Sequence, residues 1–382
     1  MNPEKLHSPY NNRININPYS KIIFCDMDKT FLFSGSILKG ADQLFPSLAK
    51  TGNLVIVDTN RAPAALDDPL INNRFGSDGL YVSDNKYGDI SISASGTIIM
   101  NRERNQLLVD PFFLSQEQKY HLFKTIINNI PSVSLIEWIE HRVTDDNSIP
   151  FQTIKYFVNR DKSENKNFRR KANELRSTSN PDESHKIFHK YLPIPRDLIP
   201  SLPFPIKVLR GHIPIPLIPS LPSLFHIEAD RRTLRNEFMR AKVAKVVIGF
   251  TSKNLEANQV RIGQIINKFD GQLKAAPDLF ALHVMNGTDK GEAAKRVSKI
   301  IGISMENAVG MGNSGIDLPL ALACIENGGY FIYVGNRVDF ENELNHPLMT
   351  HFIKREQKFL LSNSSNLIFH DPKDSIKEIF SN

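Results

Sequence analysis

The chain has 382 residues, of which 41% are hydrophobic and 23% charged, with a formal net charge of +6. That length exceeds one ordinary core, so two domains, or one domain carrying a large insertion, are expected of a globular protein of this composition. No apolar stretch reaches the length of a membrane span, and the two cysteines, Cys25 and Cys324, make no disulfide framework; both fit a soluble protein in a reducing, cytoplasmic setting. The basic residues are scattered (Arg102, Arg104, Arg169, Arg170, Lys171, Arg231, Arg232), which reads as a solvated basic surface rather than a nucleic-acid interface.

In chain order, residues 1–17 are polar and rich in Asn, lack the apolar core of a secretory signal, and read as a flexible leader. Lys21–Cys25 reads as a buried strand that runs into Asp26-Met27-Asp28-Lys29-Thr30. A helical stretch ending at Lys50 precedes a second buried strand, Leu54–Asp58, which ends in Thr59-Asn60-Arg61. Leu80–Val82 reads as a third strand, and Ile90–Ser93 with Thr97–Met100 as a hairpin. The middle of the chain differs. It holds a helix over Gln116–Asn129, a strand over Thr153–Val158, and a polar excursion over 161–185 expected to be mobile. A Pro-rich tract over 192–222 comes next, in which Leu198-Ile199-Pro200-Ser201-Leu202-Pro203 recurs as Leu217-Ile218-Pro219-Ser220-Leu221-Pro222. Pro at that density excludes helix and central strand; the tract is an extended connector or a docking segment for a protein or membrane. Regular elements return with a strand over Val243–Phe250, a helix over Leu255–Phe269 and a strand over Phe280–Val284.

The last third alternates again. A helix over Lys290–Ile301 is capped by Thr288 or Asp289 and ended by Gly302. A strand, Ala308–Met311, enters the turn Gly312-Asn313-Ser314-Gly315; Asp317, a helix from Leu318 and a strand over Tyr330–Val334 come after it.

Asp26 and Asp28 stand where open parallel sheets place ligand sites, past the carboxyl end of a strand. A carboxylate there can attack phosphorus, and a second one two residues on can protonate a leaving oxygen and then deprotonate water. Phosphoryl transfer further needs fixed donors and a cation on the phosphate oxygens. Thr59 offers a hydroxyl at a strand end, although alone it reads equally as a polar turn. Lys290 opens a helix, where a cation opposes the dipole and calls for a nearby anion; alone it reads as a surface lysine. Asp317 stands where it can help to hold a hard cation, or cap a helix.

In this order the motifs resemble the four of the haloacid dehalogenase-like (HAD) superfamily. Asp26, Asp28 and Thr30 match Asp-x-Asp-x-Thr; Thr59-Asn60-Arg61 is similar to a Thr-Gly-Arg; Asp289-Lys290-Gly291-Glu292-Ala293 is similar to a Ser-Lys-Gly-x-Ala; and Gly312–Asp317 aligns with Gly-Asp-x-x-Asn-Asp. With Val334-Gly335-Asn336, the set resembles the capped sugar-phosphatase branch, which includes sucrose-phosphate, trehalose-phosphate, mannosyl-phosphoglycerate and Cof-type phosphatases. The resemblance implies an α/β fold: a Rossmannoid core with a parallel sheet over 18–100 and 275–382, and an inserted α/β cap domain over 101–274. It implies a Mg²⁺-dependent phosphomonoester hydrolase that works through an aspartyl-phosphate on a small phosphorylated metabolite such as a sugar phosphate. Asp26 and Asp28 would be catalytic. Thr30, Thr59, Asn60, Arg61 and Lys290 would bind substrate, and Asp26, Asp28, Asn313 and Asp317 would hold Mg²⁺. Two positions depart: Asn313 replaces the family's metal-binding Asp, and Ile316 its Asn. An amide oxygen brings no charge, so weaker Mg²⁺ binding is expected. These departures and the Pro-rich tract motivate the other reading, a catalytically weak HAD-like protein whose work is binding a protein or membrane.

Overall fold

The computed structural model describes residues 21–27, 30–33, 36–50, 53–63, 66, 90–101, 106–128, 133–141, 151–157, 223–226, 231–250, 255–269, 271–278, 281–362 and 365–380. The leader, Asp28, Leu80–Val82, the excursion over 161–185 and the Pro-rich tract over 192–222 lie outside the described residues. The chain divides into two compact units. One holds the described residues up to Asp58, Ile90, and those from Lys290 onward; the other holds Thr59 to Leu66 and Ser91 to Asp289.

In the first unit, β1 (Ile22–Cys25) is at most 1% exposed along its whole length, as a strand covered on both faces must be. A short ribbon, β2 (Leu32–Phe33) with β3 (Ser36–Ile37), leads to α1 (Ala41–Lys50) and β4 (Leu54–Asp58).

Strand β5 (Ile90–Ser93) lies at the division. In the second unit it is followed by β6 (Ile98–Asn101) and β7 (Gln106–Leu107), which pair antiparallel. Helix α2 (Gln116–Asn128) then precedes β8 (Val133–His141), β9 (Phe151–Phe157) and β10 (Ser223–His226). Next come α3 (Arg231–Arg240), β11 (Lys242–Phe250), α4 (Leu255–Phe269), β12 (Leu273–Asp278) and β13 (Ala281–Asn286). Six of these strands form one sheet, in the order β10-β9-β8-β11-β13-β12, antiparallel except for β10 with β9. On one face Trp138 packs edge-on against Phe238 of α3, with centroids 5.3 Å apart. On the other, Ile139, Phe151 and Ala244 join Ala62, Ala94, Ile98 and Met100 in a single apolar cluster.

The first unit resumes with α5 (Lys290–Ile301), β14 (Ala308–Gly312), α6 (Leu318–Glu326) and β15 (Tyr330–Val334). It ends with α7 (Arg337–Asn345), α8 (Pro347–Ser362), β16 (Leu367–His370) and α9 (Lys377–Phe380). Its strands run β16-β15-β14-β1-β4, all parallel. The α/β class with a parallel central sheet is therefore the observed one. The return to the first unit comes at Lys290 rather than at 275, because β12 and β13 pair with each other and β13 with β11.

Gly291 fixes the approach of α5 to α6, since a Cβ there would run into the Pro319 carbonyl. Ala favours a helix over Gly by about 1 kcal/mol, but backbone overlap in a packed interface costs about 1–3 kcal/mol. Gly291→Ala is thus expected to lower the urea midpoint. Gly271→Ala, with open space around it, should leave stability within about 0.5 kcal/mol. Equal midpoints for the two variants would refute the close-approach argument.

Candidate active site

Strands β14, β1 and β4 end level with one another. Cys25 has Met311 and Val57 as its register partners, so Asp26 arrives beside Gly312 and Asp58. The Asp26 N–H donates to the Met311 carbonyl (3.0 Å), which fixes its backbone as an extension of the ladder. Asp26 is 3% exposed and Lys290 is fully buried.

Lys290 Nζ donates to Asp26 Oδ1 (2.6 Å), to Asp317 Oδ1 (2.6 Å) and to the Asp58 carbonyl (2.9 Å). An ammonium has three donors, and all three are used. Burial alone would lower the pKa of this lysine. The carboxylates of Asp26, Asp317 and Asp58 outweigh burial and raise it well above the ordinary value, so the group is a permanent cation. The anion that a lysine at a helix N-terminus calls for is therefore supplied by the protein itself.

Thr30 Oγ1 lies 3.2 Å from Asp26 Oδ2 and 3.1 Å from Asn313 Oδ1. Its one proton can go to either oxygen. Thr30 is fully buried, with its hydroxyl between Asp26 and Asn313. Asp317 takes up the capping reading, in a capping box with Ser314. Its Oδ1 takes Lys290, and its Oδ2 takes the N–H of Asn313 (3.0 Å), the N–H of Ser314 (3.1 Å) and the Ser314 hydroxyl (3.0 Å). Oδ1 is thus committed to Lys290 and Oδ2 to shaping the turn. Gly312 is required there, because a Cβ would overlap the Asp317 side chain. Ile316 is 2% exposed and packs into the core. Asp28 lies outside the described residues.

Three participants escape the motif reading. Asp58 gives Lys290 its third acceptor, Ser314 closes the capping arrangement with Asp317, and Glu343 Oε2 on α7 accepts from the Gly315 N–H (2.9 Å). Asp58 carried a signal, as a carboxylate ending an apolar strand just as Asp26 does. Glu343 carried none. The Cys25 thiol, next to Asp26, is pushed well above its usual range by burial and then by the Asp26 charge, which keeps it a protonated, inert neighbour.

In the second unit, Thr59 is fully buried and follows Asp58 directly in the chain. Its Oγ1 accepts from the Arg61 N–H (3.2 Å), its own N–H donates to Ile92, and its carbonyl accepts from Ser95. Asn60 Oδ1 accepts from the Ser95 hydroxyl (2.8 Å). Thr59, Asn60 and Arg61 thus form one compact turn with defined donors and acceptors.

Among the described residues, no group of three or more His, Cys, Asp or Glu side chains is placed to hold a metal ion. The oxygens of Asp26 and Asn313 do converge on the Thr30 hydroxyl, and both are hard donors of the kind Mg²⁺ takes alongside water and substrate phosphate. Also among the described residues, no helix is long and apolar enough to cross a membrane.

The charge balance makes a prediction. Lys290→Met leaves three buried carboxylates without their cation, which should cost about 3–5 kcal/mol. In the wild type, a lysine with a raised folded pKa stabilises fully below about pH 10.5 and loses that contribution only as pH climbs through the folded value. In Lys290→Met the native state takes up protons more readily than the unfolded chain, so its deficit should shrink as pH falls from 8 to 5. Urea melts across that range check both; a deficit independent of pH would contradict the charge argument.

No protein-family model matches the sequence, and no curated protein does. Solved structures do match. A haloacid dehalogenase-like hydrolase from B. subtilis is 16% identical, with a TM-score of 0.51 over 87% of this chain and 100% of that one. A protein of Streptococcus mutans UA159 is 14% identical, with a TM-score of 0.51 over 84% of this chain and 91% of that one. The chain, with its parallel sheet and its lysine-bridged strand ends, has the fold of the haloacid dehalogenase-like hydrolases.

Proposed function

We propose that this chain is a phosphomonoester hydrolase that works through an aspartyl-phosphate, with Mg²⁺ as cofactor and a small phosphorylated metabolite, most simply a sugar phosphate, as substrate. The observation that carries the reading is the buried Asp26–Lys290 pair at the carboxyl end of a parallel sheet. A carboxylate held there by an ammonium at 2.6 Å, with a hydroxyl on its other oxygen, is an oriented nucleophile.

Asp26 forms an O–P bond as the ester oxygen leaves, and Asp28 gives that oxygen its proton. Asp28, now a carboxylate, takes a proton from water; the water oxygen bonds to phosphorus, and the Asp26–phosphorus bond breaks to release inorganic phosphate. Lys290 keeps a positive charge beside the reacting carboxylate throughout. On the motif order, Thr59, Asn60 and Arg61 form the turn that contacts the phosphate, through the Thr59 hydroxyl and the Asn60 N–H. Asp26, Asn313 and the Asp28 main chain would hold Mg²⁺, which when bound offsets charge on the phosphate oxygens. Asp317 serves that set by fixing the backbone of Asn313. The choice of a sugar phosphate rests on the motif resemblance alone. The docking role of the Pro-rich tract, which lies outside the described residues, is the alternative reading.

Phosphate release from a panel of sugar phosphates and other phosphomonoesters, with Mg²⁺ titrated, tests the proposal. Release should fall roughly 10³-fold or more in Asp26→Asn with folding kept. Asn313→Asp, which restores a carboxylate, should lower the Mg²⁺ concentration for half-maximal rate. An Asp26→Asn variant as active as wild type would end the aspartyl-phosphate reading.

A further inference from the structure

Lys245 is a fully buried cation on β11, far in sequence from every motif, and its ammonium donates to the Asn60 carbonyl at 2.8 Å. Both residues belong to the second unit. Burying an ammonium is costly where an apolar side chain would serve packing, so a lysine kept in this sheet calls for a task.

The strand is bent to deliver it. Along β11, Val243 pairs with Glu140 but Lys245 pairs with Ile139, so Ala244 is an extra residue and the register slips by one. Unbroken pairing would set Lys245 opposite Trp138, on the face that packs against Phe238. The bulge turns it to the face of Ile139, which packs with Ala62 and Ala94. Bulges commonly re-aim a side chain in this way.

The same turn is gripped from a second side. Ala94 and Ser95 sit consecutively at φ 51° and 58°, a conformation that residues other than Gly rarely adopt. There the Ala94 N–H reaches the Arg61 carbonyl (2.7 Å), the Ser95 N–H reaches the Thr59 carbonyl (3.1 Å), and the Ser95 hydroxyl reaches Asn60 Oδ1. With Lys245 on Asn60, each of the three carbonyls of Thr59-Asn60-Arg61 is tied by a donor. With its carbonyls engaged, and the Thr59 and Arg61 N–H groups spent on Ile92 and on Thr59 Oγ1, the turn has its acceptors withdrawn and the Asn60 N–H left to present to an anion.

We propose that Lys245 is a positioning residue for phosphate binding, holding the Asn60 carbonyl so that the Thr59–Arg61 turn keeps the shape in which the Asn60 N–H and the Thr59 hydroxyl can meet a phosphate. This rests on the phosphatase reading for the identity of the anion, but not for the grip itself. The variants are Lys245→Met, which keeps the length and removes the donor, and Lys245→Arg, which keeps a cationic donor. Two readouts apply: hydrogen exchange of the amides of residues 59–62 with inorganic phosphate titrated, and KM against kcat for the best phosphoester. Loss of one charge-assisted hydrogen bond should raise both the phosphate midpoint and KM about tenfold in Lys245→Met, with kcat changed far less. Lys245→Arg should recover most of that loss. A folded Lys245→Met with an unchanged phosphate midpoint and unchanged exchange overturns the proposal and leaves the phosphatase reading intact. Wild type that hydrolyses no ester, yet shows phosphate protection that weakens in Lys245→Met, overturns the phosphatase reading and sustains this one.

Discussion

One ammonium ties the first unit's site together. Lys290 contacts residues 264, 232 and 27 positions away in the chain, and its three donors end on three different segments. The parallel ladder alone brings the ends of β14, β1 and β4 level, but a ladder fixes backbones and leaves side chains free to choose rotamers. The lysine removes that freedom for Asp26 and Asp317 together. It is also a poor way to gain stability, because a buried ion pair is often no better than well-packed apolar residues of the same volume. A cation kept in the middle of three buried carboxylates is therefore better explained by what the carboxylates do than by what holds the sheet together.

The motif residues divide according to how local their partners are. Asp26, Thr59 and Lys290 were legible because each stands at the junction of a strongly patterned element and a polar residue: an apolar strand, a β-branched strand and an amphipathic helix. Leu255–Phe269 and Lys290–Ile301 emerge with the bounds read from periodicity and capping. Strand β8 did not emerge. Its Leu135, Ile136, Trp138 and Ile139 fall at i, i+1, i+3 and i+4, the spacing of a helical stripe, because both faces of the strand are covered. The register slip at Ala244 could not be read either, since a bulge shows only against the partner strand. Roles were harder than positions. Thr30 and Asp317 were found, but their tasks depend on Asn313 and Ser314, and Glu343 enters through a helix with no motif of its own.

The turn Gly312–Asp317 departs at two positions from the motif it resembles, at Asn313 and at Ile316. Asn313 keeps an oxygen but no charge, and Ile316 has left the polar chemistry for the core. The scaffold around them is nonetheless well specified. One carboxylate oxygen of Asp317 collects two backbone N–H groups and a hydroxyl, a second carboxylate from α7 takes the next N–H, and Gly312 admits the Asp317 side chain where any Cβ would exclude it. A turn that had become a relic would have no need of this organisation. The two departures leave the frame of the turn in place.

The second unit makes the same point by an independent route. Two consecutive residues other than Gly in the left-handed region cost roughly 1–3 kcal/mol each, and a buried lysine adds a desolvation cost. A domain is stable by only about 5–15 kcal/mol, so these are large fractions of the total. Both features converge on a three-residue turn, Thr59–Arg61, and neither is needed to lead the chain out of β4, which an ordinary polar turn would do. Where two separate sources of strain are spent on the same few carbonyl oxygens, the shape of that turn is what has been retained. Asp58 thus joins two kinds of constraint: its carbonyl is held by the charge of Lys290, and the turn that follows it is held by the backbone conformation of Ala94 and Ser95.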